Sequence, residues 1–357
     1  MQQVSTVTGL VPPQALGAVL PAEHLRADHS VPEDLATSWA RVGRRRPIAA
    51  SERARYEARL TMGILGDVNL GALNRDNERL DDTAQIAGEL RRFREFGGGT
   101  VVDTTTIDAG RAPRELRRLA GLTGLRVVMS TGWRSERWAP QLAERDAETI
   151  AAEMVEELTI GVTDPGVEPP IRAGLIAQHT PLDPADPADE RLLRAHASAA
   201  ARTGAPILIR HPREAASAFP LAGLLLGLGI EPQQLALSGV ARFARDHAHL
   251  RRLAELGVGL CFDGVGRIPT VYTRVSDHET GVALIALDET GHRAQLLVSS
   301  RVRRKIELTA FGGTGYAFVQ EQLLPYLAGL GGAGADPAFA AALTVDNPAR
   351  FLARWEA

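Results

Sequence analysis

From about residue 80 onward the chain alternates short apolar, β-rich runs with longer stretches whose apolar positions repeat at helical spacing. In 81–96, Asp81 or Asp82 can cap a helix, Ile86, Leu90 and Phe93 share one face, and Gly97 stops it. Thr100, Val101 and Val102 then form a buried run that ends at Asp103. Comparable runs at 126–129, 173–176, 207–209, 235–237, 258–262 and 295–298, with an initial strand at 17–20, predict eight strands. Strands that are apolar throughout and separated by helices predict a parallel sheet covered by helices on its outside. Eight such units predict an α/β fold closed as a (β/α)8 TIM barrel, one domain over residues 1–357. The stretches 162–170 and 181–189 read as connecting loops, and 329–336 as a flexible turn before the last helix.

Composition narrows the picture. With 45% hydrophobic and 23% charged residues, the chain reads as an ordinary globular protein. Basic and acidic totals of 40 and 43 nearly cancel, so no charge excess favours nucleic acid or an anionic membrane as partner. The single cysteine, Cys261, cannot form an internal disulfide. The longest greasy run, 221–230, is about half the ~20 residues a spanning helix needs, and no basic segment precedes an apolar one at the start, so the expected location is cytoplasmic. Lys305 is the only lysine.

In a TIM barrel the residues just past the strand ends carry the chemistry. Motifs around those ends occur in a recognisable order: Val11-Pro12-Pro13, Glu23-His24-Leu25, Asn69-Leu70-Gly71-Ala72, Gly98-Gly99-Thr100-Val101-Val102-Asp103, Gly110-Arg111, Thr131-Gly132, Arg172-Ala173-Gly174, Gly204-Ala205-Pro206, Gly312-Gly313-Thr314-Gly315-Tyr316 and Asp346-Asn347-Pro348. This order resembles the phosphotriesterase family of the amidohydrolase superfamily, nearly end to end. The resemblance implies an amidohydrolase-like barrel. It also implies two divalent metals at the mouth that activate a water against an ester, lactone or phosphotriester. Their ligands would be a His-x-His pair after strand 1, a carboxylated Lys or a Glu after strand 4, a His after each of strands 5 and 6, and an Asp after strand 8.

Carried over position by position, that ligand set is mostly missing. The His-x-His positions fall on Ala22 and His24, the strand 4 bridge on Gln178 or Ala177, the strand 5 His on Arg210, the strand 6 His on Gly239 and the strand 8 Asp on Arg301. The sole lysine lies past strand 8, which excludes a carboxylated lysine at strand 4. A guanidinium offers no lone pair and carries a full positive charge, so Arg210 and Arg301 repel a dication if both face inward. The expectation is that the binuclear site does not form and that no cofactor is held. A single zinc on His24, His179 and His211 is the alternative, and it needs a bulge in strand 5 to turn His211 inward.

Two arginines at a barrel mouth suit a small anionic molecule, because the planar fork matches a carboxylate or phosphate. The competing reading has Arg210 and Arg301 in buried ion pairs with Glu23, Asp103 or Asp263. His24 and Asp263 are the candidates for proton transfer, each with a structural reading beside it. Gln178, Trp133, His211 and Asp103 are the candidate substrate contacts, although Asp103 also reads as a structural hydrogen-bond acceptor and Trp133 as a loop anchor. Glu23 is expected to point away from His24 as a structural carboxylate, and 303–305 to be a solvated basic face. The favoured function is metal-independent acid/base catalysis on a small anion. A non-catalytic binding protein and a metal-dependent lactonase or phosphotriesterase are the rivals. The resemblance also makes a homodimer the candidate assembly.

Overall fold

The computed structural model describes residues 2–162 and 167–354. The middle of the 162–170 stretch and both extremes of the predicted 1–357 domain lie outside the described residues.

Eight parallel strands follow one another in a single sheet that curls into a nearly closed barrel: β1 (Ala18–Glu23), β2 (Gly98–Asp103), β3 (Arg126–Thr131), β4 (Leu175–Gln178), β5 (Ile207–Arg210), β6 (Leu235–Ser238), β7 (Gly259–Asp263) and β8 (Leu296–Ser299). Side chains alternate between two apolar layers, as a period of two requires. Val19, Val102, Val128, Leu175, Leu208, Ala236, Cys261 and Leu297 pack together inside the barrel. Their sequence neighbours Leu20, Val101, Val127, Ile176, Ile207, Leu237, Leu260 and Leu296 pack outward against the helices. Both faces are therefore apolar, which is why the strands read as continuous runs. The same alternation settles which residues look into the mouth: Arg210 follows Leu208 inward, Asp263 follows Cys261, and Ser299 follows Leu297.

Between β1 and β2 the chain makes three short helices, α1 (Ala36–Arg41), α2 (Ala50–Glu57) and α3 (Met62–Asn69), around a small cluster of Val31, Trp39 and Tyr56. The hydrophobic pattern did not predict this excursion. The outer ring is α4 (Thr83–Glu95), α5 (Pro113–Thr123), α6 (Ala147–Thr159), α7 (Pro187–Thr203), α8 (Ala218–Gly227), α9 (His247–Ala254) and α10 (Asp277–Glu289). Helix α4 starts where its cap predicts: Asp82 Oδ1 accepts from the Gln85 amide at 3.0 Å, and Gly97 follows the helix at φ 88°. Within the 329–336 stretch the chain forms a short helical turn at Gly332–Ala335. An N-terminal hairpin of Val4–Thr6 and Gly9–Val11 and the C-terminal Asn347–Leu352 helix close the floor, with Val4, Phe351 and Leu352 joining the inner cluster. No helix among the described residues is long and apolar enough to cross a membrane.

The barrel has one seam. Among the described residues no backbone ladder joins β1 to β8. Side chains bridge them instead. Ser299 Oγ accepts from the Ala22 amide at 3.1 Å and donates to Glu23 Oε1 at 2.6 Å, and just past the strands the His24 amide donates to the Val302 carbonyl at 3.0 Å.

Candidate functional site

Two buried carboxylates frame the mouth from outside the inner layer. Glu23 accepts from the Arg301 amide at 2.8 Å and the Val302 amide at 2.6 Å, in addition to Ser299. Burial pushes its pKa up to about 7 against the pull of those hydrogen bonds. Asp103 Oδ1 accepts from the Leu25 amide at 2.9 Å and from Thr105 Oγ1 at 2.7 Å, and burial raises this group to about 6. Both carboxylates hold backbone just past a neighbouring strand, the role read for Glu23 and the structural of the two roles read for Asp103.

Asp263 occupies the centre. Its Oδ2 accepts from Arg210 Nη1 at 2.7 Å and lies 3.1 Å from Arg301 Nε, while Oδ1 is buried without a hydrogen-bond partner. The Arg301 guanidinium also reaches the His179 carbonyl at 3.2 Å, and its backbone is left-handed at φ 53°, unusual for a non-glycine residue. Gly239, where the family's strand 6 histidine would stand, makes room for Arg210: a Cβ there would collide with the Arg210 guanidinium. The changes at strands 5 and 6 are thus sterically coupled.

Above this centre lies a cavity of about 600 Å³ lined by Arg210, Arg242, Arg267, Arg274, Arg301, Arg303 and Arg304, against three carboxylates, Asp263, Asp277 and Glu307. Arg267 pairs with Glu307 and donates to the Arg301 carbonyl at 2.8 Å. Burial first, then repulsion from its neighbours, draws Arg301 down to about 10 and Arg267 to about 9, and repulsion from Arg304 leads the downward pull on Arg303. Because guanidinium is so strong a base, all remain charged at pH 7. The mouth is therefore an excess of crowded positive charge.

The histidines lie apart from it. His24 Nδ1 is 3.0 Å from Thr105 Oγ1. Since the Thr105 hydroxyl gives its one proton to Asp103, His24 carries hydrogen on Nδ1 and leaves Nε2 as a lone pair. That Nε2 is buried without a partner, and the ring packs edge-on against His29 and His179 at centroid distances of 4.8 and 4.9 Å. Burial first, with the nearby Arg134 and Arg303 adding to it, holds all three imidazoles far below their usual pKa, hence neutral. None of the three lines the cavity.

His211 does not turn inward. It bonds the Pro212 carbonyl at 2.7 Å and His249 Nε2 at 2.9 Å, against Phe243. There is no strand 5 bulge, and the alternative zinc trio does not assemble. Trp133 is buried with Nε1 donating to Glu153 at 3.0 Å, and Gln178 Oε1 accepts from the Thr180 amide at 3.1 Å; neither touches the cavity, nor does Asp103. The expected solvated face at 303–305 is instead built in. Lys305 is buried in ion pairs with Asp76 at 2.6 Å and Asp81 at 3.0 Å, and Arg303 and Arg304 line the cavity. Arg242, Arg267 and Arg274 were missed by the sequence reading. They lie in loops that show no periodicity.

A family model for the phosphotriesterase family matches residues 2–352. The chain belongs to the phosphotriesterase family. Among solved structures it resembles a resiniferatoxin-binding protein from Rhodobacter sphaeroides, with 30% identity, a TM-score of 0.84 and coverage of 98% of this chain and 94% of that one. It also resembles the phosphotriesterase homology protein of Escherichia coli complexed with phosphate in its active site, at 23% identity, a TM-score of 0.74 and coverage of 95% and 99%. Among curated relatives, the N-acetyltaurine hydrolase of Tetraodon nigroviridis is 25% identical over 98% of this chain and 97% of its own.

The metal pair that the phosphotriesterase family implies does not fit these residues. Arg210 fills the space a strand 6 histidine needs, Arg301 replaces the strand 8 carboxylate, and Glu23 is committed to backbone amides. Among the described residues no group of three His, Cys, Asp or Glu side chains is arranged to hold a metal ion.

Proposed function

We propose that this phosphotriesterase-family barrel binds a small anion in its arginine-lined mouth and acts on it without metal, by proton transfer and arginine electrostatics. The observation that carries the reading is the Arg210–Asp263–Arg301 cluster, two guanidiniums on one carboxylate oxygen beneath a cavity lined by seven arginines and three carboxylates. An anion entering there relieves repulsion that the fold otherwise bears, and it finds two planar forks suited to a carboxylate, sulfonate or phosphate. In this reading Arg210 and Arg301 hold the anion and stabilise negative charge that develops beside it. Asp263 Oδ1 is buried without a partner at the cavity floor. Once a bound substrate opens that floor, it takes the proton of a water as the new C–O bond forms and returns it to the amine as the C–N bond breaks. His24 is left out of the proton path because its Nε2 faces other histidines. The relatives named for N-acetyltaurine hydrolysis make an amide bearing a sulfonate a natural first substrate.

The test is release of taurine from N-acetyltaurine, and from amides and esters of other small anions, with 1,10-phenanthroline present throughout. The expected result is turnover indifferent to chelator and about a hundredfold lower in Arg301→Gln, the scale of losing one transition-state donor. Turnover abolished by chelator and restored by zinc overturns the metal-independent reading. The position of His24 off the cavity wall favours a second reading, an anion receptor without catalysis. Sulfonate binding that depends on Arg301, with no turnover of any substrate, would establish it.

A further inference from the structure

The mouth is larger than an anion needs, and its exposed rim carries large apolar side chains among the polar Arg242, Arg274, Thr273 and Ser276. Arg210 and Arg301 are 16% and 12% exposed at the bottom, whereas Ile268 and Tyr272, on the same cavity wall, are 48% and 67% exposed at the rim. Val68, Pro269 and Val275 extend the apolar part of that wall. Tyr272 leans on the far side, since a Cβ built on Gly71 would stand 3.5 Å from its ring. The loop after β7 thus meets the segment after α3, and the ring still leaves two-thirds of its surface in water. Single exposed apolar side chains are ordinary, but two large ones facing into one cavity above a charged floor form a surface that a ligand can cover. A volume of about 600 Å³ belongs to sites that bury a drug-sized molecule, and a bare sulfonate or phosphate occupies a small part of it.

Resting on the anion reading above, we infer that the ligand is an amphiphilic anion. A compact sulfonate, carboxylate or phosphate monoester head sits on Arg210 and Arg301, and an apolar body runs outward over Val68, Ile268 and Tyr272. A small hydrophilic anion leaves the rim in water, and a neutral apolar molecule leaves the arginines uncompensated. A molecule with both parts covers the buried arginines and the apolar side chains of the rim together.

Isothermal titration of the full chain with methane-, butane- and hexanesulfonate, and with neutral 1-hexanol, tests this. Affinity is expected to rise about three- to fourfold per methylene while the chain remains within the cavity, the increment of a buried CH₂. Hexanol should bind at least a hundredfold more weakly than hexanesulfonate. Ile268→Ser and Tyr272→Ser, both at exposed positions and so compatible with folding, should reduce the increment per methylene. Equal affinity for short and long sulfonates overturns this inference while leaving the anion reading intact. Hexanol binding as tightly as hexanesulfonate overturns it by removing the head-group anchor. Failure of every sulfonate to bind removes the anion reading itself.

Discussion

Gly239→Ala is the sharpest perturbation of the mouth, because it adds one methyl group at a place where two separate costs can be worked out. Gly239 sits at φ 78°, where an L-residue loses about 1–2 kcal/mol relative to glycine. The new Cβ also collides with Arg210 Cζ, Nη1 and Nε, so the guanidinium must leave the position from which it donates to Asp263 at 2.7 Å. Hydrogen bonds to charged groups are worth about 1.5–3 kcal/mol, and Arg301 remains on Asp263, so this second cost stays within that range. The single variant should therefore lose about 2.5–5 kcal/mol. Arg210→Ala alone loses the ion pair but not the backbone conformation, about 1.5–3 kcal/mol by the same reasoning. With Arg210 already gone, Gly239→Ala has nothing to hit and should cost only the backbone strain. Urea denaturation of the wild type, both single variants and the double variant closes the cycle, with an expected coupling of about 2 kcal/mol in the direction that makes the double variant better than additive. Additivity to within ~0.5 kcal/mol would show that the glycine is not there to admit the arginine.

Two further outcomes follow from the same geometry. Stability should fall as pH drops below 6.5. His24, His29 and His179 are held far below that value in the fold, and His196 and His211 near 4, so below 6.5 the unfolded chain takes up protons that the folded chain refuses. Each such histidine contributes about 1 kcal/mol per pH unit. Glu23 and Asp103, raised to about 7 and 6, act with the opposite sign between roughly pH 4 and 7, but they are outnumbered. Denaturant melts at pH 7.5, 6.5 and 5.5 check this, and a flat or rising trend toward pH 5.5 sinks it. At Arg301, the glycine variant should be about 1 kcal/mol more stable than the alanine variant because φ 53° strains only the latter, while both lose sulfonate affinity. An alanine variant as stable as the glycine one argues against left-handed strain at this position.

The barrel was legible because its strands are apolar on both faces, so Val101, Val102 and their counterparts stand out as runs whatever their orientation. The α1–α3 excursion was not, since its helices are only six to eight residues long and bury little more than Trp39, Tyr56 and Val68. At the site, the sequence left open whether Arg210 or His211 faces inward, and the alternation seen in the structure, with Leu208 and Cys261 in the inner layer, settles it for Arg210 and Asp263. Alternation also kept His211 out of the barrel interior unless strand 5 bulged, and no bulge is present; Gln178 was misplaced by the family carry-over, since alternation puts it with outward-packed Ile176. The pairing of Arg210 with Gly239 was hidden for another reason. A glycine reads as a lost ligand, and only the neighbouring strand shows that it is also a space. Buried Lys305 was misread because its partners, Asp76 and Asp81, are more than 220 residues away in the chain and adjacent only in the fold.

The side-chain seam between β1 and β8 has a consequence for how the ring is completed. Every other neighbouring pair of strands is joined by a ladder, the longest connection being the one from β1 to β2 across residues 24–97. Here the joined residues are 276 to 279 positions apart, and bringing such ends together costs roughly 5 kcal/mol in loop-closure entropy from the length dependence alone. Opposing that cost are three hydrogen bonds to one carboxylate, about 1.5–3 kcal/mol each. The two sums are comparable. The seam is therefore held largely through one group, Glu23, whose pKa burial pushes up to about 7.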